Sequence, residues 1–308
     1  MAQHAIHALA FGCLYALLAV GLAFLSRAQR SLYLAYGSLY LVGGYVAWWA
    51  LRSSRPIWMA LLLAPLFCAG LGLVLTAVER VVRAQRSERS QLLWGLGVLI
   101  CGMELYRSMM GMYHRKVIAI DSHEIHYLGP LMLSDMHWLM FGCAFGCGVW
   151  LHGLLTTSRL GLTLQAVLAD RDDPSRWRGV APRQLAVVIG ASLAGIGGSL
   201  AALYLNDVHP TMGLRMMHKM LCLVMIGGLG HIRGVVLAAF GLACIEGLIA
   251  PRTAELPLPM EGALLLALAE LDAELLVAFL RHYLRVQATL PPEEEDEPRT
   301  YEEAIVNE

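Results

Sequence analysis

Charged residues are scarce in this chain of 308 residues, and that scarcity excludes an ordinary soluble protein. Asp, Glu, Lys and Arg make up 15% of the sequence, whereas soluble domains carry about 25%. Hydrophobic residues make up 57%, and the mean hydropathy is +0.58. The formal charge of -1 offers no basic surface for nucleic acid, so no nucleic-acid partner is expected. The composition predicts a protein whose main solvent is lipid.

Motifs for catalysis and for tightly bound cofactors are also missing. The sequence contains no HExxH, no GxSxG and no GxxxxGK[ST], so we expect no enzyme, no cofactor, no metal and no ATP hydrolysis by this chain. The seven cysteines lie in apolar segments without CxxC spacing and are expected to be small buried hydrophobes. Cys143 and Cys147 share a helical face, which leaves a ligand pair as the alternative. His123, Glu124 and His126 predict a solvated loop, with a metal or proton site as the alternative.

Long apolar segments divide the chain into membrane spans. A transmembrane helix needs roughly 20 predominantly apolar residues. Five segments of this length contain no Asp, Glu, Lys or Arg: residues 5–25, 33–51, 57–78, 136–158 and 184–206. Residues 91–113 are predicted as a sixth span, because Glu104 and Arg107 are three residues apart and can form an ion pair on a helix.

Two shorter apolar segments, residues 220–230 and 234–245, predict half-helices. Each is too short to span a membrane, and transporters break their helices at such glycine-interrupted segments. Residues 257–281 predict a last span or, because they contain four acidic residues, an interfacial or partner-covered helix. The expected fold class is therefore all-α, a polytopic transmembrane bundle of about eight spans with broken or re-entrant half-helices.

The basic residues predict the orientation of the chain. If the loops at 80–89 and 159–183 are cytoplasmic, 15 of the 23 Lys and Arg residues lie inside and the N-terminus faces outward. We expect residues 1–285 to form the transmembrane domain. Residues 286–308 are rich in acidic residues and predict a disordered cytoplasmic tail, with partner docking as the alternative.

Two parts of the chain resemble a known family. Residues 12–21 read GCLYALLAVG, residues 34–45 read LAYGSLYLVGGY, and residues 226–234 read IGGLGHIRG. Together they resemble the branched-chain amino acid permease family of ABC importers. The Asn-Phe-Ala-His-Gly turn of the family stands here as residues 33–37, with tyrosine at both polar positions. Arg233 replaces the proline that usually precedes the last glycine.

The resemblance implies a translocation pathway through the bundle. The implied lining residues are Tyr33, Tyr36, Gly37, Tyr40, Gly43, Gly44, Gly227, Gly228, Gly230 and Gly234. The three tyrosines would lie at i, i+3 and i+7 on one helical face, and the glycines permit close backbone approach or a helix break. The alternatives are interfacial anchoring for the tyrosines and ordinary packing for the glycines, as expected for Gly190, Gly195, Gly197 and Gly198.

The polar loop before the span at 184–206 resembles the coupling helix that docks on an ATPase subunit. The residues implied in coupling are Arg159, Gly161, Ala166, Asp170, Asp172 and Gly179. The residues of the loop have the spacing of a short helix, but the loop is too polar to enter lipid. Such a segment is suited to docking on a soluble partner. A plain solvated loop is the alternative.

The resemblance implies a permease subunit in the bacterial inner membrane that imports branched-chain or other small amino acids, or amides such as urea. It also implies partners: a homologous second permease subunit, two cytoplasmic ATP-binding subunits and a periplasmic substrate-binding protein. An autonomous secondary transporter or channel is the alternative, with Glu104, Glu246 and Glu270 as its intramembrane charges. An intramembrane enzyme would need a nucleophile and a base, and the sequence indicates no such arrangement.

Overall fold

The described part of the chain, in a computed structural model, is a bundle of α-helices. The structure describes residues 2–29, 32–53, 55–82, 88–111, 114–117, 125–128, 131–157, 180–228 and 232–249. All of these residues lie in one compact unit, Met1–Leu256. The predicted last span at 257–281 and the predicted acidic tail lie outside the described residues.

Eight helices lie within these ranges, and they confirm the all-α class. They are α1 (Ala2–Gln29), α2 (Tyr36–Arg52), α3 (Ile57–Val82), α4 (Glu88–Met110), α5 (Asp135–Thr157), α6 (Val180–Leu205), α7 (Met212–Gly227) and α8 (Ile232–Ile249). Two antiparallel strand pairs accompany them: β1 (Arg115–Lys116) with β4 (Asp207–Val208), and β2 (Ile125–Leu128) with β3 (Leu131–Ser134). The second pair lies where the sequence predicted only a loop.

A helix lies at each of the six predicted spans. Three of the described helices are long and apolar enough to cross a membrane, with spans at Ile6–Ser26, Ile57–Glu79 and Gln184–Leu205. Helix α2 has only 17 residues because the backbone N–H of Tyr36 donates to the Tyr33 carbonyl in a turn that precedes it. The predicted start of this span at Tyr33 is therefore wrong by three residues. On α4, Arg107 Nη1 lies 3.5 Å from Glu104 Oε1, which confirms the predicted pair.

Burial separates the central helices from the peripheral ones. Within their most apolar windows, 78% of the residues of α1 and α6 are buried in the protein, but only 22% of those of α3. Leu66 on α3 is 72% exposed, and Phe145 on α5 is 76% exposed. Exposing such surface to water costs a free energy of roughly 25 cal/mol per Å² of apolar area. These faces are suited to lipid, as expected of a membrane protein.

Helix α2 packs on α6 through glycine. A Cβ added to Gly43 would lie 2.6 Å from the Gly195 carbonyl oxygen, and one added to Gly198 would overlap the Tyr40 carbonyl oxygen. A Cβ on Gly195 would in turn lie 2.7 Å from the Ala64 carbonyl oxygen of α3. Each of these contacts is made by backbone atoms, so no rotation of a neighbouring side chain could make room for a residue larger than glycine. The glycines of α6 therefore set how closely α2 and α3 approach it.

Leucine at Gly198 should destabilise the bundle, because its side chain would push α6 away from α2. We expect a loss of about 1–3 kcal/mol or more, measured as a lower Tm of the purified protein in detergent. The matched control is Gly146→Leu on α5, where an added Cβ meets no atom within 4 Å. Both changes replace a helical glycine by leucine, so helix propensity cancels between them. Equal Tm values for the two variants would contradict the glycine contact.

Candidate functional site

Glycines build the interruption between α7 and α8. Helix α7 ends at Gly227, and Gly228 has φ 80° and ψ 128°, a conformation that favours glycine. A Cβ on Gly227 would overlap the backbone of Val235, and one on Gly234 would overlap the Gly227 carbonyl oxygen. The predicted helix break is confirmed at this point. Gly230 lies outside the described residues.

The helices on both sides of the break are longer than the sequence predicted. Helix α7 has 16 residues and α8 has 18, whereas the apolar segments have 11 and 12. The predicted boundaries are wrong because charged residues are accommodated inside both helices. Lys219 Nζ of α7 donates to Glu246 Oε1 of α8 at 3.1 Å. The polar residues therefore do not end the helices.

Tyr15 of α1 completes this ion pair. Its hydroxyl donates to Glu246 Oε2 at 2.8 Å and accepts from Lys219 Nζ at 3.1 Å. The Lys219 and Glu246 side chains are 18% and 26% exposed, so each charge is largely removed from solvent. Each charge depends on the other for stability, because removing a charge from water without pairing it costs free energy. The three groups tie α1, α7 and α8 together.

A narrow space lies between α1, α2 and α7, and we call it the interior space. It is lined by Leu18, Tyr36, Gly37, Tyr40, Met216, Met217 and Met220. No part of it is wide enough for a water molecule. Three residues of the predicted pathway, Tyr36, Gly37 and Tyr40, lie in this lining. The helices leave no passage for a solute at this point.

Tyr36 fills its site completely. The side chain is 1% exposed, and its hydroxyl has no hydrogen-bond partner in the described part of the chain. A Cβ on Gly21 of α1 would overlap this hydroxyl. Gly21 therefore leaves the room that the tyrosine requires. Sequence reasoning missed this role, because nothing local relates two residues on different helices.

Gly37 lies where α2 crosses α7. A Cβ on Gly37 would lie 2.8 Å from the Gly213 carbonyl oxygen and 2.7 Å from Leu99 Cδ1. A Cβ on Gly213 would lie 2.5 Å from the Gly37 carbonyl oxygen. The same glycine therefore lines the interior space and permits the helix crossing. The close packing that the sequence analysis gave as the alternative is present at Gly37, and its place in a translocation pathway stays a prediction.

Tyr33, Gly43 and Gly44, which were also predicted to line the pathway, do not line the interior space. Tyr33 lies in the turn before the helix, where its backbone N–H donates to Ser26 Oγ at 3.3 Å. Its expected place on one helical face with the other two tyrosines is wrong, because the helix begins only at Tyr36. Gly43 packs on α6 and Gly44 on Met212. A role for these residues in a pathway stays a prediction.

The sequence analysis missed four lining residues, Leu18 of α1 and three methionines of α7. Met216, Met217 and Met220 all project from α7 into the interior space. The available signal was their density in residues 212–220, which contain four methionines. Methionine side chains are flexible and repack readily. They suit a surface that must change shape.

The predicted coupling residues lie outside the described part of the chain. They are Arg159, Gly161, Ala166, Asp170, Asp172 and Gly179. Their role in docking an ATPase stays a prediction from the resemblance.

Histidines gather on the side of the bundle where α1 and α5 begin and α6 ends, which we call the N-terminal face. His7 Nδ1 lies 2.5 Å from the Tyr204 hydroxyl. His137 Nε2 lies 3.3 Å from both of these groups. This cluster connects α1, α5 and α6.

A second histidine cluster lies at the β1–β4 pair on the same face. His114 Nδ1 lies 2.6 Å from Asp207 Oδ2, and His209 Nδ1 lies 3.2 Å from the same oxygen. Burial lowers the pKa of His209, and the Asp207 carboxylate opposes that shift. Sequence reasoning singled out none of these three residues, because they are distant in the chain.

Comparison with known proteins supplies the family. The family model described as "Branched-chain amino acid transport system / permease component" matches residues 5–269. No curated protein and no solved structure gives a significant match to the chain. The matched range contains seven of the described helices in full and all but the first residues of α1. The family is one of transport components and not of enzymes. Since the match covers well over half of the sequence, the chain belongs to the branched-chain amino acid transport permease family.

Proposed function

We propose that this chain is the membrane-spanning permease subunit of an ABC importer in a bacterial inner membrane. It moves branched-chain or other small amino acids, or amides, into the cytoplasm. A homologous second permease subunit, two cytoplasmic ATP-binding subunits and a periplasmic substrate-binding protein complete the machine. The chain itself uses no cofactor, because a partner hydrolyses the ATP. The observation that carries this proposal is the closed interior space beside a broken helix, in a chain of this family.

The contacts around the interior space support an opening movement of α7. This helix crosses α2 through Gly37 and Gly213, where backbone atoms of the two helices approach each other directly. It ends at the glycine break, where the helix is already interrupted. A shift of α7 therefore separates backbone surfaces without breaking a helix. The methionines on α7 can repack as the gap widens.

The lining of the interior space supports a substrate with an apolar part. Leu18 and the methionines offer apolar contact, and no charged side chain lines the space. The Tyr36 hydroxyl lies beside Gly21 of α1 and has no partner in the described chain, so it can bond to a polar group when the helices around it separate. A branched-chain amino acid presents both kinds of surface. An amide such as urea uses only the second.

The intramembrane charges do not favour the autonomous transporter. Glu246 is paired with Lys219, and Glu104 is paired with Arg107. A carboxylate that couples transport to an ion must exchange its partner during the cycle. Glu270, the third candidate, lies outside the described residues. The observed pairing fits structural roles for the first two.

Transport should require the whole assembly. We expect uptake of labelled leucine into proteoliposomes only when this chain, the second permease, the ATPase, the binding protein and ATP are all present. Uptake by this chain alone would refute the importer and support the autonomous transporter.

Replacing Ala166 by Trp should overpack the docking helix and abolish substrate-stimulated ATP hydrolysis while the assembly still forms. Unchanged stimulation in A166W would remove the loop from coupling.

Removing one member of the Lys219–Glu246 pair should destabilise the protein by about 3–5 kcal/mol, because a largely buried charge then loses its counter-charge. The double variant K219M/E246Q should regain most of that stability and keep ATP-driven uptake. Thermal unfolding in detergent and uptake in proteoliposomes measure the two effects. A folded double variant that has lost uptake would show that the charges serve transport itself.

Met220, which is 1% exposed, should become accessible when the transporter works. In a variant without native cysteines, Met220→Cys should be inert to a small water-soluble thiol reagent at rest and should react when ATP and binding protein are added. The matched control is Ala202→Cys on α6, a buried position that does not line the interior space. Equal reaction rates at both positions in every state would place the pathway elsewhere.

A further inference from the structure

We propose that His114, Asp207 and His209 form a binding site for a divalent transition metal, with Zn²⁺ as the reference ion. The three side chains come from two distant parts of the chain. His114 follows α4, and the other two residues lie between α6 and α7. None of the three residues lines the interior space.

The donor atoms are already close together. One ligand atom from each of the three residues lies within 4.8 Å of the others. The two imidazole rings have centroids 4.7 Å apart and planes inclined by 32°. Zinc holds nitrogen and oxygen ligands at about 2.0–2.2 Å in a tetrahedron, which places neighbouring ligand atoms roughly 3.3–3.5 Å apart. Small side-chain rotations would bring the three residues to that spacing.

Backbone pairing fixes the two segments against each other. In the β1–β4 pair, Lys116 is opposite Asp207, and the Val117 N–H donates to the Asn206 carbonyl at 3.2 Å. These contacts hold the loop after α4 beside the end of α6. The ligands therefore need little ordering when a metal binds.

Two buried polar atoms in the cluster lack hydrogen bonds. Asp207 Oδ1 and His209 Nε2 have no partner in the described part of the chain. Unsatisfied buried polar atoms are rare and costly. Both atoms are therefore available as metal ligands.

The donor set indicates the class of metal. Two imidazoles and one carboxylate suit Zn²⁺, Cu²⁺ or Ni²⁺, whereas Mg²⁺ and Ca²⁺ prefer oxygen ligands alone. Three protein ligands leave a fourth position for water. His114 is 55% exposed, which gives an ion access to the site. The nearby Arg115 directs its Nη2 to the Met110 carbonyl at 2.9 Å and does not occupy the Asp207 carboxylate.

A metal here would act on the segment that leads into α7. His209 is also the residue whose carbonyl accepts the N–H of Met212, the first residue of α7. Coordination would thus connect the loop after α4 to the start of the helix that lines the interior space. Bound metal should stabilise the closed arrangement of these elements.

Metal titration of the purified full chain tests the site. The protein carries no histidine tag, and His123 and His126 are replaced by Ala to remove loop ligands. We expect one equivalent of Zn²⁺ by calorimetry and a visible absorption band on Co²⁺ substitution. His114→Ala and Asp207→Asn should each weaken binding by about tenfold or more, since even outer-shell partners are worth 10–100-fold. Zn²⁺ should also raise the Tm of the parent and not of D207N.

Control variants decide between this site and its neighbours. His152→Ala, at an exposed position on α5, should bind metal like the parent. Loss of binding in His7→Ala but not in H114A would place the metal at the cluster with Tyr204 and overturn the proposal. So would unchanged affinity in folded H114A and D207N, because the three residues would then be a hydrogen-bonded contact only. Size-exclusion profiles confirm that each variant is folded.

Discussion

Helix α2 touches its neighbours through backbone atoms, and the arrangement of the other helices depends on these contacts. Gly43 meets Gly195 of α6, and Gly37 meets Gly213 of α7. Within lipid, helices gain little from hydrophobic burial against each other, so close van der Waals packing has to hold them together. Side chains larger than hydrogen at these crossings would separate the helices. The position of the interior space follows from where α2 is held.

Hydropathy was sufficient to predict the helices, because a chain in lipid must satisfy its backbone hydrogen bonds within each span. It failed at helix ends that depend on tertiary partners. The polar residues Lys219 and Glu246 were read as boundaries, yet their mutual ion pair lets both helices continue. The hairpin of β2 and β3 was missed because a short strand pair in a polar loop has no strong periodic signal.

The candidate site was predictable only in part. Family resemblance and helical spacing pointed to Tyr36, Gly37 and Tyr40, and these residues do lie together. The complementary Gly21 could not be found the same way, because its importance depends on a ring that belongs to another helix. Met216 and Met217 of α7 were overlooked because they lie before the predicted apolar segment at 220–230, among polar residues. Complementarity between distant segments leaves no local pattern in a sequence.

The Lys219–Glu246 pair has a consequence for biogenesis. A lysine or an acidic residue at the centre of an inserting helix costs about 2.5–3.5 kcal/mol on translocon scales. Helix α7 alone would bear that cost, because Lys219 lies near its centre, and α8 alone would bear a smaller one, because Glu246 lies near its end. When α7 and α8 are packed together, Lys219 Nζ donates to Glu246 Oε1 at 3.1 Å, and the two charges neutralise each other. Nascent α7 should therefore wait at the translocon until α8 has been synthesised, so that the two enter the bilayer as a pair.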